Sequence, residues 1–144
     1  MYEIFEPNTF DINILYEYLV EMDKEYVPPI SNLVDDMFGY ALKICKNAYI
    51  IVAKDKKEVI GIYAIYINEK YSFMTTGSVK YHYRGKGIFK QLIQQGINLS
   101  KEKKVLYTEL EVYAENERAV SIYTQNGYVL NSEDKDKKTM RLYL

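Results

Sequence analysis

Two stretches of this sequence hold residues whose types and spacing suit chemistry. The first is Val79-Lys80-Tyr81-His82-Tyr83-Arg84-Gly85-Lys86-Gly87-Ile88-Phe89, where a β-rich run passes through a basic turn into a helical pattern. Glycine tolerates positive φ and lets a backbone approach a ligand closely. The free N–H groups at a helix start favour an anion, and Arg84 and Lys86 add formal charge. Such a turn suits a diphosphate, although an ordinary turn has the same composition. It is neither a Walker loop nor a dinucleotide fingerprint, because the remaining glycines and the Ser/Thr are missing. The second stretch sets Asn116, Ala119 and Tyr123 at i, i+3 and i+7, on one helix face, with Gly127-Tyr128 closing the helix. Read plainly, that helix buries Ala119 and Ile122 and uses Tyr123 as a core aromatic.

These residues need elements to hold them. Tyr2 to Glu6 alternates as a short strand. Phe10 to Met22 carries Ile14, Leu15, Tyr18, Leu19 and Met22 at helical spacing. Pro28-Pro29 interrupts, and Ser31 is the expected cap of a second helix running to about Lys46, with Asp35 and Asp36 in its first turns. The period then changes. Ala48–Ala53, Val59–Ile67 and Tyr71–Lys80 are three apolar, β-rich runs with short turns between them, which predicts an antiparallel meander. The middle run is apolar almost throughout, so both its faces are expected to be covered. Ile88–Glu102 reads as a helix with Phe89, Ile93 and Ile97 on one stripe. Val105–Val112 reads as a strand, with Leu110 and Val112 on one face and Glu109 and Glu111 on the other. Asn116–Asn126 is a helix, with Gly127 where a left-handed cap belongs. Two terminal strands, Tyr128–Leu130 and Lys138–Leu144, follow. The order β-α-α-β-β-β-α-β-α-β-β predicts one mixed α/β layer structure over residues 1–144.

Composition narrows the function. The 144 residues carry 19 basic and 20 acidic side chains, for a net charge of −1, so no basic field exists to hold a nucleic acid. Cys45 is the single cysteine and His82 the single histidine, which argues against a zinc site and a disulfide framework. Cys45 is expected in the core of the second helix and His82 at the surface. No apolar run approaches the roughly 20 residues of a membrane span, and the first residues do not read as a secretory signal. A lone cysteine fits a reducing, cytoplasmic setting.

In their order and spacing the two stretches resemble the GNAT superfamily of acetyl-CoA-dependent N-acetyltransferases. The family's acyl-CoA motif, Arg/Gln-x-x-Gly-x-Gly/Ala, corresponds to Arg84-Gly85-Lys86-Gly87-Ile88-Phe89. Its later motif, Asn-x-x-Ala-x-x-x-Tyr-x-x-x-Gly-Phe, corresponds to Asn116, Ala119, Tyr123, Gly127 and Tyr128. Leu110-Glu111-Val112 is similar to the Leu-Glu-Val of ribosomal-protein N-terminal acetyltransferases. The resemblance runs from about Tyr71 to Tyr128, and the first 47 residues match in layout only. Phe89 departs from the motif, which has Gly or Ala there. Its ring either crowds a diphosphate or points into the core beside Leu92 and Ile93, and the helical stripe favours the core.

The resemblance implies a mixed, mostly antiparallel sheet flanked by helices, and transfer of acetyl from acetyl-CoA, the co-substrate, to a primary amine in a ternary complex. It implies a backbone N–H near Ser78 and Val79 for the thioester carbonyl. The backbone from Val79 to Tyr81 would pair with the pantetheine arm, and Arg84, Gly85, Lys86, Gly87, Ile88 and Phe89 would hold the diphosphate. Asn116 would contact the arm, and Tyr123 would protonate the departing sulfur. Glu111, matching the motif's acid, is the candidate base, directly or through water, with Glu109 on the same face as its substitute. No metal is implied. A homodimer is common in the family. The acceptor stays open: Leu110-Glu111-Val112 hints at a protein N-terminus, and Tyr26-Val27-Pro28-Pro29 is similar to relatives associated with surface sugars. Phe89 keeps a non-catalytic acyl-CoA-binding domain as the alternative.

Overall fold

The fold starts from an aspartate cap. Asp11 accepts hydrogen bonds from the amides of Asn13 (2.8 Å) and Ile14 (3.4 Å), satisfying two of the donors a helix start leaves free. Helix α1, Ile12–Met22, then buries Leu15, Tyr18, Leu19 and Met22. In this computed structural model, which describes residues 1–144, the second helix begins later than its pattern suggests. Helix α2 is Met37–Asn47 with Asp36 at its N-cap. Ser31 does not cap it: its amide and hydroxyl both donate to the Asp23 carboxylate, at 2.9 and 2.5 Å. Residues Ile30–Asn32 form a separate 3-10 turn. A capping serine is recognisable by type, but here a residue eight positions back holds its polar atoms.

The three-strand meander forms as the pattern predicts, and the first strand joins its edge. Strands β1 (Tyr2–Phe5), β2 (Tyr49–Asp55), β3 (Glu58–Ile67) and β4 (Tyr71–Val79) pair antiparallel in sequence order. Alternation along β2 sends Ile50 and Val52 to one core cluster and Ile51 and Ala53 to the other. Along β3, Ile62 and Ala64 face the cluster that holds Leu15, Leu19 and Ile44, while Tyr63 faces Leu92 and Ile93. The middle strand is therefore covered on both sides, and Cys45 is buried in the first of these clusters.

Helix α3, Ile88–Glu102, returns the chain so that strand β5, Tyr107–Tyr113, lies parallel to β4, the connection a parallel pair requires. A Cβ at Gly96 would lie 2.7 Å from the Tyr63 ring, so only glycine lets α3 settle this close. Helix α4, Glu117–Gln125, leads through Gly127 at φ +95° into strands β6 (Val129–Asp134) and β7 (Lys137–Tyr143). The seven strands form one sheet in the order β1-β2-β3-β4-β5-β7-β6, antiparallel except between β4 and β5.

Candidate active site

Strands β4 and β5 stay together for only part of their length. They pair from Tyr71 with Tyr107 to Met74 with Leu110, and no further. The joined end is locked by a buried hydroxyl cluster. Ser72 Oγ donates to Thr108 Oγ1 at 2.7 Å and lies 2.8 Å from Ser100 Oγ, which itself donates to the Gly96 carbonyl at 2.9 Å. The separation begins at Thr75. On β3, Ala64 pairs with Thr76 and Ile65 with Met74, leaving Thr75 as an extra residue. Such a bulge bends its strand, and here β4 leaves β5 from this residue on.

The strands part around a cavity of about 520 Å3, lined by Thr75–Val79 on one side and Glu111–Tyr113 on the other. Ser78, Val79, Arg84, Phe89, Glu111, Asn116 and Tyr123 all line it. Tyr81, Gly85, Lys86, Gly87 and Ile88 do not. Tyr81 lies in the short 3-10 turn before Arg84, and the other four form the turn between Arg84 and Phe89, which both line the cavity, so the turn adjoins it.

That turn can receive an anion. Gly85 and Gly87 sit at φ +77° and +79°, and a Cβ at either would meet no atom within 4 Å. No side chain caps α3 at Gly87, and the amides from Gly85 to Lys90 donate to no protein acceptor. A helix start so exposed, with its partial positive charge, favours an anion, and the residues present fit a diphosphate. The arginine is not aimed there. Its Nε donates to the Val79 carbonyl at 3.0 Å and its Nη2 pairs with Glu25 at 3.1 Å, so Arg84 braces the end of β4 instead. Lys86 is exposed, with Nζ 5.5 Å from the centre of the Tyr83 ring. The side chain of Ile88 is buried, leaving its amide as its offering to the turn. Tyr81 is exposed beside His82.

Phe89 turns inward. Its ring meets Tyr63 and Tyr123 edge to face, at 6.2 and 6.1 Å between centres, and so leaves the turn clear. Tyr123 packs in turn on Tyr128 at 5.4 Å. Tyr123 is 3% exposed, and burial pushes its phenol well above the usual value near 10, with Tyr128 adding to the effect. The hydroxyl has no hydrogen-bond partner in the protein. Asn116 caps α4, its Oδ1 accepting from the Ala119 amide at 3.3 Å. Its amide nitrogen donates to no protein group and is free for a ligand.

The two acids of β5 have different surroundings. Glu109 is gripped by Arg141, whose Nε and Nη2 both lie 2.7 Å from its Oε2, and it is outside the cavity. Held in this way and away from the cavity, Glu109 does not stand in for Glu111 as a base, contrary to the expectation from the strand pattern. Glu111 has no ion pair and faces the cavity.

Two tyrosines to which the sequence patterns gave no catalytic or cofactor role support this wall: Tyr26 lines it, and Tyr18 braces Ser78 without lining it. Tyr18 donates to the Ser78 carbonyl at 3.2 Å and lies 3.0 Å from Ser78 Oγ. Tyr26 lies 2.8 Å from Ser78 Oγ and accepts from Thr76 Oγ1 at 3.0 Å. These hydroxyls tie α1 and the loop after it to the free part of β4. Burial pushes Tyr26 up to about 12 and raises Tyr18 too. Glu25, Leu33, Val34, Tyr40 and Arg118 also line the cavity, and the sequence patterns give them no role there. The one available signal was the crowding of tyrosines at positions 16, 18, 26 and 40 of the first 40 residues.

A model described as the acetyltransferase (GNAT) family matches residues 12–128. No curated protein matches the sequence. Among solved structures, the PaiA N-acetyltransferase of Thermoplasma acidophilum, in complex with coenzyme A, is 19% identical. It covers 100% of this chain and 99% of its own, with a TM-score of 0.79. The ribosomal-protein-S18-alanine N-acetyltransferase of Escherichia coli is 16% identical, over 99% of this chain and 94% of its own, with a TM-score of 0.78. A GNAT family acetyltransferase of Elizabethkingia anophelis, with acetyl-CoA bound, is 13% identical, over 100% and 97%, with a TM-score of 0.72. At these identities the likeness is one of fold.

Proposed function

Because the chain belongs to the acetyltransferase (GNAT) family, we propose that it moves an acetyl group from acetyl-CoA to a primary amine, by direct attack in a ternary complex. The observation that carries this reading is the parting of β4 and β5 at Thr75, which opens a cavity beside the uncapped start of α3. Acetyl-CoA, the co-substrate of the family, supplies an acyl group activated on sulfur.

The chain's own residues have these roles. The amides of Gly85 to Phe89, with Arg84 and Lys86 flanking, receive the diphosphate through the helix start rather than through a side-chain clamp. The backbone from Val79 to Tyr81 runs beside the arm, with Asn116 contributing its side-chain amide. A backbone N–H at Ser78 or Val79 donates to the thioester carbonyl, where negative charge develops. Glu111 accepts the proton of the attacking amine, directly or through a water. Tyr123 donates its hydroxyl proton to the departing sulfur. Its raised pKa keeps that proton in place at neutral pH. The inward set of Phe89 removes the objection that its ring crowds the diphosphate.

Two measurements test the proposal. Acetyl-CoA at 100 times its Kd should stabilise the fold by about 2.7 kcal/mol, read as a rise of several degrees in Tm. Coenzyme A should then be released when a primary amine is added. A protein whose Tm is unmoved by millimolar acetyl-CoA does not bind it, and one that binds it but releases nothing with any amine is a binding domain.

A further inference from the structure

The cavity's second wall comes from the loop between α1 and α2. Val27, Pro28, Ile30, Leu33 and Val34 all face it, with Tyr40 beside them. Val27 is 48% exposed and Leu33 54%. Two apolar side chains thus stand open to water at the lining of a cavity, where covering them with an apolar group is favourable. The loop that presents them is fixed in shape, because the Asp23 carboxylate holds both the amide and the hydroxyl of Ser31.

Few polar side chains of the same cavity are free for an acceptor. Tyr26, Thr76 and Ser78 bond to one another, and the free amide of Asn116 and hydroxyl of Tyr123 are taken by acetyl-CoA in the reading above. Glu25 is neutralised by Arg84. That leaves Glu111 as the unpaired carboxylate and Arg118 as the unpaired cation. One ammonium is matched, while a second would meet no free acid and would face Arg118. Against Val27, Leu33 and Val34 a sugar's hydroxyls or a peptide's amides would find no partner, and a polar group buried in that way is destabilising.

Resting on the acetyltransferase reading above, we propose that the acceptor is a small primary monoamine carried on an apolar body, an aryl- or alkylamine, seated against Val27, Leu33 and Val34 with its nitrogen toward Glu111. The site is then selective against polyamines, amino sugars and peptide N-termini.

The test measures kcat/KM for 2-phenylethylamine, spermidine, glucosamine and a Phe-initiated peptide, on the wild type and on Leu33→Gln, with acetyl-CoA affinity measured by calorimetry on both proteins. Leu33 is more than half exposed, so glutamine there spares the core. The expected result is that 2-phenylethylamine leads the panel by about tenfold or more, the discrimination an apolar contact supplies. Leu33→Gln should lower its kcat/KM by a similar factor and leave acetyl-CoA affinity unchanged. Preference for spermidine, glucosamine or the peptide overturns the inference while sparing the acetyltransferase reading. So does a Leu33→Gln variant that uses 2-phenylethylamine as well as the wild type does. Failure of the wild type to bind acetyl-CoA overturns both.

Discussion

Tyr123 packs against two aromatic rings, yet its hydroxyl is bonded to nothing in the protein. Removing that oxygen alone should leave the packing intact. Tyr123→Phe is expected to lower kcat by about 10²- to 10⁴-fold, the usual span for losing a general acid, with acetyl-CoA affinity unchanged in calorimetry. Near-normal kcat would reduce Tyr123 to a core aromatic. Burial raises its pKa, so the phenol does not ionise below pH 10, and the variant's pH profile should keep the wild-type shape at neutral to mildly alkaline pH. Glu111→Gln should lower kcat while sparing acetyl-CoA affinity, whereas Glu109→Gln should act on stability through its lost bond to Arg141. Steady-state kinetics and thermal melts on the pair separate the two roles. Tyr123 and Asn116 were legible in the sequence because a helix fixes their spacing. Glu109 and Glu111 were not separable there, since a strand puts both on one face. What distinguishes them is Arg141, 32 residues beyond Glu109, brought alongside by β7.

Among the elements, the short pairing of β4 with β5 decides what the fold can hold. Its closed end depends on Ser72, Ser100 and Thr108, all buried. Ser72→Ala would leave two buried hydroxyls short of a partner and should cost about 1–3 kcal/mol in denaturant unfolding. If stability is unaffected, the cluster is no lock. The limits of α3, Ile88–Glu102, could be read from the pattern, because a glycine turn and an apolar stripe are local signals. The bulge at Thr75 could not be. It is a relation between β3 and β4 and leaves no mark of composition on either strand. The start of α2 escapes the sequence pattern for a similar reason: Ser31 has the chemistry of a cap, and only folding brings Asp23 to take it.

At the scale of the whole molecule, tyrosine does much of the work of the large core side chains. There are 16 tyrosines and no tryptophan, and Tyr18, Tyr63, Tyr123 and Tyr128 are buried. Burial raises the pKa of each above its unfolded value near 10, and Tyr26, in the cavity wall, reaches about 12. The sign follows from linkage. The unfolded chain releases these protons first, so their contribution to stability is complete below pH 10 and is lost as pH climbs through the folded values. An alkaline titration followed by phenolate absorbance should show exposed tyrosines ionising near pH 10, with the buried group ionising only together with loss of the folded circular-dichroism signal. Ionisation of all 16 in one step near pH 10, with the fold intact, would contradict the burial described.

The central claim is that the cleft between β4 and β5, ending at the glycine turn, holds acetyl-CoA. Calorimetric titration with acetyl-CoA of the wild type, Gly87→Ala and Gly87→Glu tests it most directly. Both substitutions carry the strain of a side chain at φ +79°, and neither Cβ meets a neighbour, so they share about 1 kcal/mol of backbone cost. Only glutamate adds a negative charge at the anion site. The predicted result is saturable binding to the wild type, weakened but measurable binding to Gly87→Ala, and none to Gly87→Glu, with all three folded. Binding to Gly87→Glu as tight as to the wild type, or no binding to the wild type, would contradict the claim.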